Sequence, residues 1–525
     1  MRLFQEIKNW KTVRGWHIWK LKLVDARLYF VSMVVGLLTG LIAVPYHYLL
    51  YYLLHVRSGL FASRPAWYWH IPLFMLFWGI LILVSRLVGK MPLIGGGGIT
   101  QTRGAINGRI TYRHPFIELI SKFAGGILSV SAGLSLGREG PSVQIGSYVG
   151  CLVSRWTHIL KGERKQLLAA GAGAGLAAAF AAPLASSLIV IESIERFDAP
   201  KTAITTLLAG VVAGVIATLV FPVNPYHLIE VSEPALAFWV QMKYFLILAV
   251  IISIVGKLYA AIMISFKRVY SAVKSPTSVK MFYLVLVAYI ISLMQVNLTG
   301  GGEQFLLEQA QNGSTEMMWV LAVMLLHFGF SVCSVSSGLP GGNFIPTLVT
   351  GGLLGRFVGL IAVKYGIIGQ ESVTYVMLIS MSAFLVAIER TPLTAIVLIT
   401  EITGHFEVFY PSVVVGGLTY YFTELLQMKS FNVILYEDMV SSSDFQEEKR
   451  YALSVEVMTG SYFDGKAVGE LSLPEHCVII GVHRDGKNLV PAETSLIPGD
   501  QVQIEMDSQD IEKLYEPLVS MANIY

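Results

Sequence analysis

The sequence predicts an α-helical polytopic membrane protein with an internal repeat and broken helices, followed by a small α+β domain. Three observations predict this. Hydrophobic residues make up 54% of the chain and charged residues 14%, with a mean hydropathy of +0.62, unlike an ordinary soluble domain. Apolar runs of about 20 residues, long enough to span a bilayer, recur up to about residue 426. The charge balance then reverses. Residues 437–525 hold 17 acidic against 6 basic side chains, whereas the preceding part holds 18 against 32. The formal net charge of +3 therefore conceals a basic membrane part and an acidic tail.

The N-terminal segment, 1–27, is basic, with Lys8, Lys11, Arg14, Lys20, Lys22 and Arg27 ahead of the first apolar run. It lacks the short apolar stretch and small-residue site of a secretory signal. The positive-inside rule places it in the cytoplasm. The membrane domain is expected over 28–436. Spanning runs fall near 28–54, 70–88, 116–136, 202–221, 235–265, 281–296, 317–335, 372–388 and 408–426. The stretches 141–153, 171–191, 344–363 and 392–402 are short or interrupted by Gly and Pro. Such interrupted pieces persist at membrane depth where they pack in protein or line a cavity. Cys151, Cys333 and Cys477 are isolated and form neither a disulfide framework nor a zinc spacing. A polar linker is expected over 437–452 and a soluble domain over 453–525. Its alternating runs Cys477–His483 and Gln501–Met506 read as strands separated by turns.

Two halves of the membrane part echo each other. Gly133-Leu134, Pro141, Gly146 and Gly150 match Gly338-Leu339, Pro346, Gly351 and Gly355 at an offset of 205. Pro183-Leu184 with Glu192 matches Pro392-Leu393 with Glu401 at an offset of 209. Internal repeats with broken helices are a transporter architecture; in its inverted-topology version, the inverted internal repeat expected here as a hypothesis, half-helix N-termini converge near the bilayer midplane. The paired breaks fall at Glu139 and Phe344. Unpaired N–H groups at such helix starts select an anion.

Glu139, within Gly137-Arg138-Glu139-Gly140-Pro141, is the leading candidate residue. A carboxylate at membrane depth is costly and marks an ion or proton pathway. Pro141 suits the first turn of a helix, so Glu139 would sit at a helix start that attracts anions. A tethered carboxylate there either occupies the anion's place or moves aside, which is how a gate works. An ion pair with the adjacent Arg138 is not expected, because neighbouring side chains at a helix start rarely face each other. Glu192 and Glu401, placed symmetrically near helix ends, suit structural pairing or capping as well as transport, the structural role being the preferred reading. Gly133-Leu134-Ser135-Leu136-Gly137 fits a nucleophile pattern, but no strand precedes it and no His/Asp pair accompanies it. An intramembrane hydrolase is thus a remote alternative, and the chain is not read as an enzyme. The run Gly171–Gly175 reads as close helix packing. No metal motif, phosphate-binding loop or nucleic-acid signature is present. Asn297-Leu298-Thr299 and Asn312-Gly313-Ser314 fit a glycosylation pattern, which means little if the source is bacterial.

These segments resemble the CLC family of chloride channels and proton-coupled chloride exchangers over about 30–440. The most specific matches are Gly137–Pro141, the family's gating-glutamate motif, and Gly338–Pro346, which carries its GxFxP motif. Gly171–Glu192 adds a third. The resemblance implies a homodimer in the plasma membrane with cytoplasmic termini and a separate chloride pathway in each subunit. It implies no resident cofactor or metal. It makes Glu139 the external gate and the amides of Phe344 and Ile345 the holders of the central anion, with Arg138 in support. Segments near 183–220 and 392–425 match the family's dimer interface. Ser135 would offer its hydroxyl to the anion. Motifs of the chloride branch make a fluoride exporter the lesser reading.

Three departures stand out. The family's GSGIP motif is Gly96-Gly97-Gly98-Ile99-Thr100 here, so Gly97 replaces the anion-touching serine. The inner-mouth tyrosine falls at Asn432, which offers an amide donor in place of a phenol. The internal proton-transfer glutamate of exchangers falls at Ser193, just after Glu192. Glu195, about 200° further round a helix, should face elsewhere. Serine does not titrate usefully. The expectation is channel-like or weakly proton-coupled transport, the alternative being an antiporter with another proton route.

The tail resembles the C-terminal module of TrkA/RCK-type potassium-transport regulators through Gly465–Leu471, Val478–Arg484, Pro491 and Pro498-Gly499-Asp500. Such modules pair as dimers, and some bind cyclic di-AMP. His483, Arg484, Asn488 and Pro491 match the neighbourhood that those binders use, with Arg supplying a planar fork for phosphate. The plain alternative is that His483 and Arg484 are exposed at a strand end. The module is not the CBS pair of eukaryotic relatives, which points to a prokaryotic source.

Overall fold

The computed structural model describes the chain outside residues 1, 64–65, 158–160, 196–199, 222–224, 442–449, 475–476, 485–486, 490–493, 508–510 and 523–525. Side chains before Ala26 and a few within later elements also lie outside the described set. The chain forms two compact units, Met1–Asp438 and Met439–Tyr525.

The first unit is helical. It runs through α1 (Arg2–Ala62), α2 (His70–Lys90), α3 (Ile99–Ile106), α4 (Pro115–Ser131), α5 (Glu139–Trp156), α6 (Lys161–Phe180), α7 (Pro183–Ile189) and α8 (Pro200–Val220). The second half follows as α9 (Phe238–Ala272), α10 (Thr277–Gln295), α11 (Glu303–Asn312), α12 (Met317–Ser336), α13 (Phe344–Lys364), α14 (Val373–Glu389), α15 (Pro392–Thr403), α16 (Phe409–Leu425) and α17 (Phe431–Ser441). Among the described residues, eight helices are long and apolar enough to cross a membrane.

The spans differ from the sequence expectation in two ways. The stretch around 344–363 forms one continuous 21-residue helix, α13. Its glycines are packing sites rather than breaks: Gly351 lies on Phe384 and Gly355 on Ser380, so α13 seats closely on α14. Conversely, the runs near 116–136 and 408–426 yield helices of 17 residues, α4 and α16. Pro115 starts α4, and Gly133, at φ +98°, turns the chain away just after its end. The Gly-rich α6 behaves as expected. Gly146 of α5 and Gly171 of α6 meet so closely that a Cβ on either would strike the other's carbonyl.

The core runs through α5, α6, α13 and α14; every residue of α14 is buried. Leu184, Val215 and Leu219 stay exposed on one half, and Tyr410, Val413 and Tyr421 on the other. These outward apolar groups suit a lipid-facing or partner-facing surface.

The second unit is a four-stranded antiparallel sheet in the order β1 (Arg450–Glu456), β4 (Gln501–Asp507), β2 (Val478–Arg484) and β3 (Lys487–Leu489), with α18 (Ile511–Ala522). The two runs read as strands from sequence become β2 and β4. Val455, Val482, Val502, Ile504 and Leu518 form its separate core with Phe463.

Candidate functional site

Two helices start at matching points of the repeat. Glu139 opens α5 and Phe344 opens α13, 205 residues apart. The loops before them are bonded to each other: Gly137 N–H donates to Gly342 O and Gly342 N–H to Gly137 O, each at 2.7 Å. This is an antiparallel bridge. Gly137 and Gly342 are themselves equivalent at that offset, so the halves meet with opposed chain directions, as an inverted repeat requires. A third loop joins them. Gly96 N–H donates to Gly338 O at 3.0 Å, and Gly341 N–H to Gly96 O at 3.1 Å.

Glu139 sits at this junction, fully buried. Its carboxylate is turned back over Gly137: a Cβ there would overlap Oε2 and come within 3.2 Å of the Ile345 amide nitrogen. Neither oxygen completes a hydrogen bond of good geometry, although the amides of Glu139 and Ile345 act on the carboxylate. The anion-attracting start of α13 therefore faces a carboxylate that nothing else holds tightly.

Arg138 contradicts one expectation. Its Nε lies 3.7 Å from Glu139 Oε1, within ion-pair range despite the adjacency. Arg138 caps α5 in helical conformation, and this brings the two side chains together. Its closer partner is Glu303 Oε1, at 3.1 Å from Nη2. Sequence reasoning missed Glu303; the signal was an acid directly after Gly300-Gly301-Gly302. It also missed Lys122, a charge inside an apolar run. Lys122 is fully buried and donates to Ile94 O at 2.9 Å and Gly96 O at 2.7 Å, holding the glycine loop.

The remaining sequence candidates divide. Phe344 and Ile345 are buried at the start of α13, beside Glu139. Gly97 packs against Gly140 and Gly342. The Ser135 hydroxyl is engaged by Ser331 Oγ at 2.8 Å, and its amide donates to Ser334. Asn432 lies in the first turn of α17, where Nδ2 donates to Glu389 Oε2 at 2.5 Å, so one of its two amide N–H groups is already used. Ser193 lies in a π-helical turn, Val190–Glu195, so an α-helical angle does not apply to Glu195. Glu192 accepts from the Leu393 and Thr394 amides at the start of α15, at 3.0 and 2.7 Å. Glu401 reciprocates at Leu184 and Ala185 of α7, at 3.2 and 2.9 Å. Both acids cap the opposite half's helix, as their sequence symmetry suggested.

In the second unit, Arg484 is committed within the fold. Its Nε and Nη2 hold both oxygens of the buried Asp500 at 2.7 Å, and Nη2 also donates to Ser495 O. Arg484 holds the Asp500 carboxyl below the usual carboxylate range. The guanidinium fork read as a phosphate binder is thus occupied, because Asp500 is buried and needs a partner. His483 is half-buried in β2, opposite Asn488 and Gln501. Pro491 lies outside the described residues. Among the described residues no cluster of side chains suits a metal.

Comparison with known proteins agrees with this geometry. Residues 80–424 match the voltage gated chloride channel (CLC) family, and residues 452–519 match the TrkA-C domain. The H(+)/Cl(-) exchange transporter ClcA of Salmonella agona is 32% identical over 398 residues, 73% of this chain and 83% of that one. ClcA of Klebsiella pneumoniae is 30% identical over 396 residues, covering the same shares. Among solved structures, a slow cyanobacterial Cl-/H+ antiporter superposes with a TM-score of 0.73 at 26% identity, over 80% of this chain and 99% of that one. With the paired helix starts, the buried glutamate and these matches together, the chain is a multi-pass membrane protein of the CLC family, a family of anion transporters and channels, and carries a TrkA-C domain at its C-terminal end.

Proposed function

We propose that this protein moves chloride across the plasma membrane past a gate formed by Glu139, in a channel-like or weakly proton-coupled manner. One observation carries the reading: the Glu139 carboxylate is buried, lacks a strong hydrogen bond and faces the Ile345 amide. Deprotonated, it competes with the anion for the helix starts. Protonated or swung outward, it leaves the amides of Phe344 and Ile345 to the anion. Gly97 and Ser135 flank this route, and Asn432 stands at its inner mouth. Arg138, tied to Glu303, sets the field at the outer side.

Weak coupling rests on Ser193, which offers no titratable group at the internal relay position. The relatives named as exchangers favour the second reading, an antiporter with another proton route. The subunits pair as a homodimer through the exposed faces of α7, α8, α15 and α16, with both termini cytoplasmic. The TrkA-C unit serves regulation, with cyclic di-AMP as the candidate ligand near His483.

The test is the reversal potential in liposomes under a chloride gradient, with and without a pH gradient. Lower external pH should raise flux in the native protein, and Glu139→Gln should flatten that response. A full pH response in Glu139→Gln would remove Glu139 as the sensor.

A further inference from the structure

One buried carboxylate has no part in the mechanism above. Glu389 is the last residue of α14 and is 5% exposed. Among the described residues no cation pairs with it. The next residue, Arg390, takes a left-handed conformation (φ +59°), which ends the helix and carries its guanidinium away. That group binds Thr423 and Glu424 and lies over the Tyr420 ring.

Several charged groups on the other elements packed around α14 are also turned elsewhere. Lys257 of α9 donates to Leu426 O, and Arg356 of α13 to the carbonyls of Gln309 and Ser314. Glu401 of α15 caps α7. Glu437 of α17 pairs with Lys429, and Tyr436 lies beneath Arg103. One group does face Glu389. Asn432, at the inner mouth, donates to it at 2.5 Å. Tyr259 of α9 packs its ring on Phe384 of α14, and its hydroxyl donates to Asn343 Oδ1 at 2.9 Å. Asn343 immediately precedes Phe344, where the anion site begins. An ionisable residue at membrane depth without a counter-ion is a functional group by default, and proton relays are one such use.

We propose that Glu389 is the carboxylate through which protons enter from the inner side, in place of the group missing at Ser193. The inference rests on the proposed reading, in which Glu139 is the outer carboxylate of the pathway. Glu389 takes a proton from inner water and becomes neutral. The proton passes through water in the pathway to the Glu139 carboxylate, which releases it outside as chloride moves inward. No bond other than O–H forms or breaks.

The experiment uses the full chain in liposomes with a chloride gradient, and measures the reversal potential as the pH gradient is varied. The native protein is expected to depart from the chloride equilibrium potential in the direction of the proton gradient. Glu389→Gln is expected to return to the chloride potential while chloride still crosses. Ser193→Glu added to Glu389→Gln should restore the departure, a rescue that a merely structural role for Glu389 would not give. Should Glu389→Gln fail to assemble, Glu389→Ala carries the same test. A native protein fixed at the chloride potential overturns the proposal and leaves the gate reading intact. So does a Glu389 variant with native coupling. Loss of the gate reading shows separately, as an unchanged pH response in Glu139→Gln.

Discussion

Gly137 and Gly342 exchange both of their backbone hydrogen bonds, at 2.7 Å each, at equivalent points of the two repeat halves. The bridge fixes how far apart the starts of α5 and α13 stand, and so the space left for an anion or a carboxylate between them. Only a residue without a side chain fits on the Gly137 side. A Cβ there would run into the Glu139 carboxylate with the Ile345 amide 3.2 Å away. The missing Cβ therefore leaves the Glu139 carboxylate room to turn back over Gly137.

Gly137→Ala should displace the Glu139 carboxylate from the start of α13. Overpacking of this kind costs about 1–3 kcal/mol. On the proposed gate reading, the displaced carboxylate should weaken the dependence of flux on external pH, as is expected of Glu139→Gln, while the protein still inserts. Flux measured across an external pH series checks this. A native pH profile in Gly137→Ala would mean that the carboxylate rests elsewhere.

Much of this was legible from sequence because the informative residues are punctuating ones. Gly and Pro at a fixed offset located both helix starts to the residue, and the Glu192/Glu401 symmetry foretold reciprocal capping. What stayed illegible depends on side chains meeting across large separations. Glu303 reaches Arg138 from 165 residues away, and Asn432 reaches Glu389 across 43. No periodicity reports such pairs. The same reason hid the engagement of Arg484 by Asp500, where a turn-like Pro-Gly-Asp concealed a buried acid. The runs at α4 and α16 were read a few residues too long, and the continuity of α13 was missed because hydropathy does not separate a packing glycine from a helix-ending one.

The Arg484–Asp500 pair predicts a pH dependence for the C-terminal unit. The folded state holds Asp500 below its ordinary range, so its stabilisation is full above the unfolded value, about 3.9. It is lost as pH falls through the lower folded value. Arg484→Ala leaves a buried acid without its fork and should cost about 1.5–3 kcal/mol at neutral pH. Hydrogen exchange of β4 in the full chain would report this as faster opening in Arg484→Ala at pH 7. A difference between native and variant that persists undiminished well below that range would mean the pair is not what holds the sheet.

Gly97 gives the most direct reading of the pathway's chemistry. Its place in the third loop leaves room for a side chain: a Cβ would meet Gly342 Cα at 3.5 Å, an ordinary contact. Its φ lies outside the left-handed region that glycines elsewhere in the loop adopt, so serine enters without backbone strain. Gly97→Ser would thus add a hydroxyl donor beside the bridge that positions Ile345. One net hydrogen bond is worth about 0.5–1.5 kcal/mol, so chloride should bind about 2- to 12-fold more tightly. Calorimetric titration of the detergent-solubilised protein with chloride measures this. Unchanged affinity in a correctly folded variant would show that the anion passes beyond the reach of residue 97.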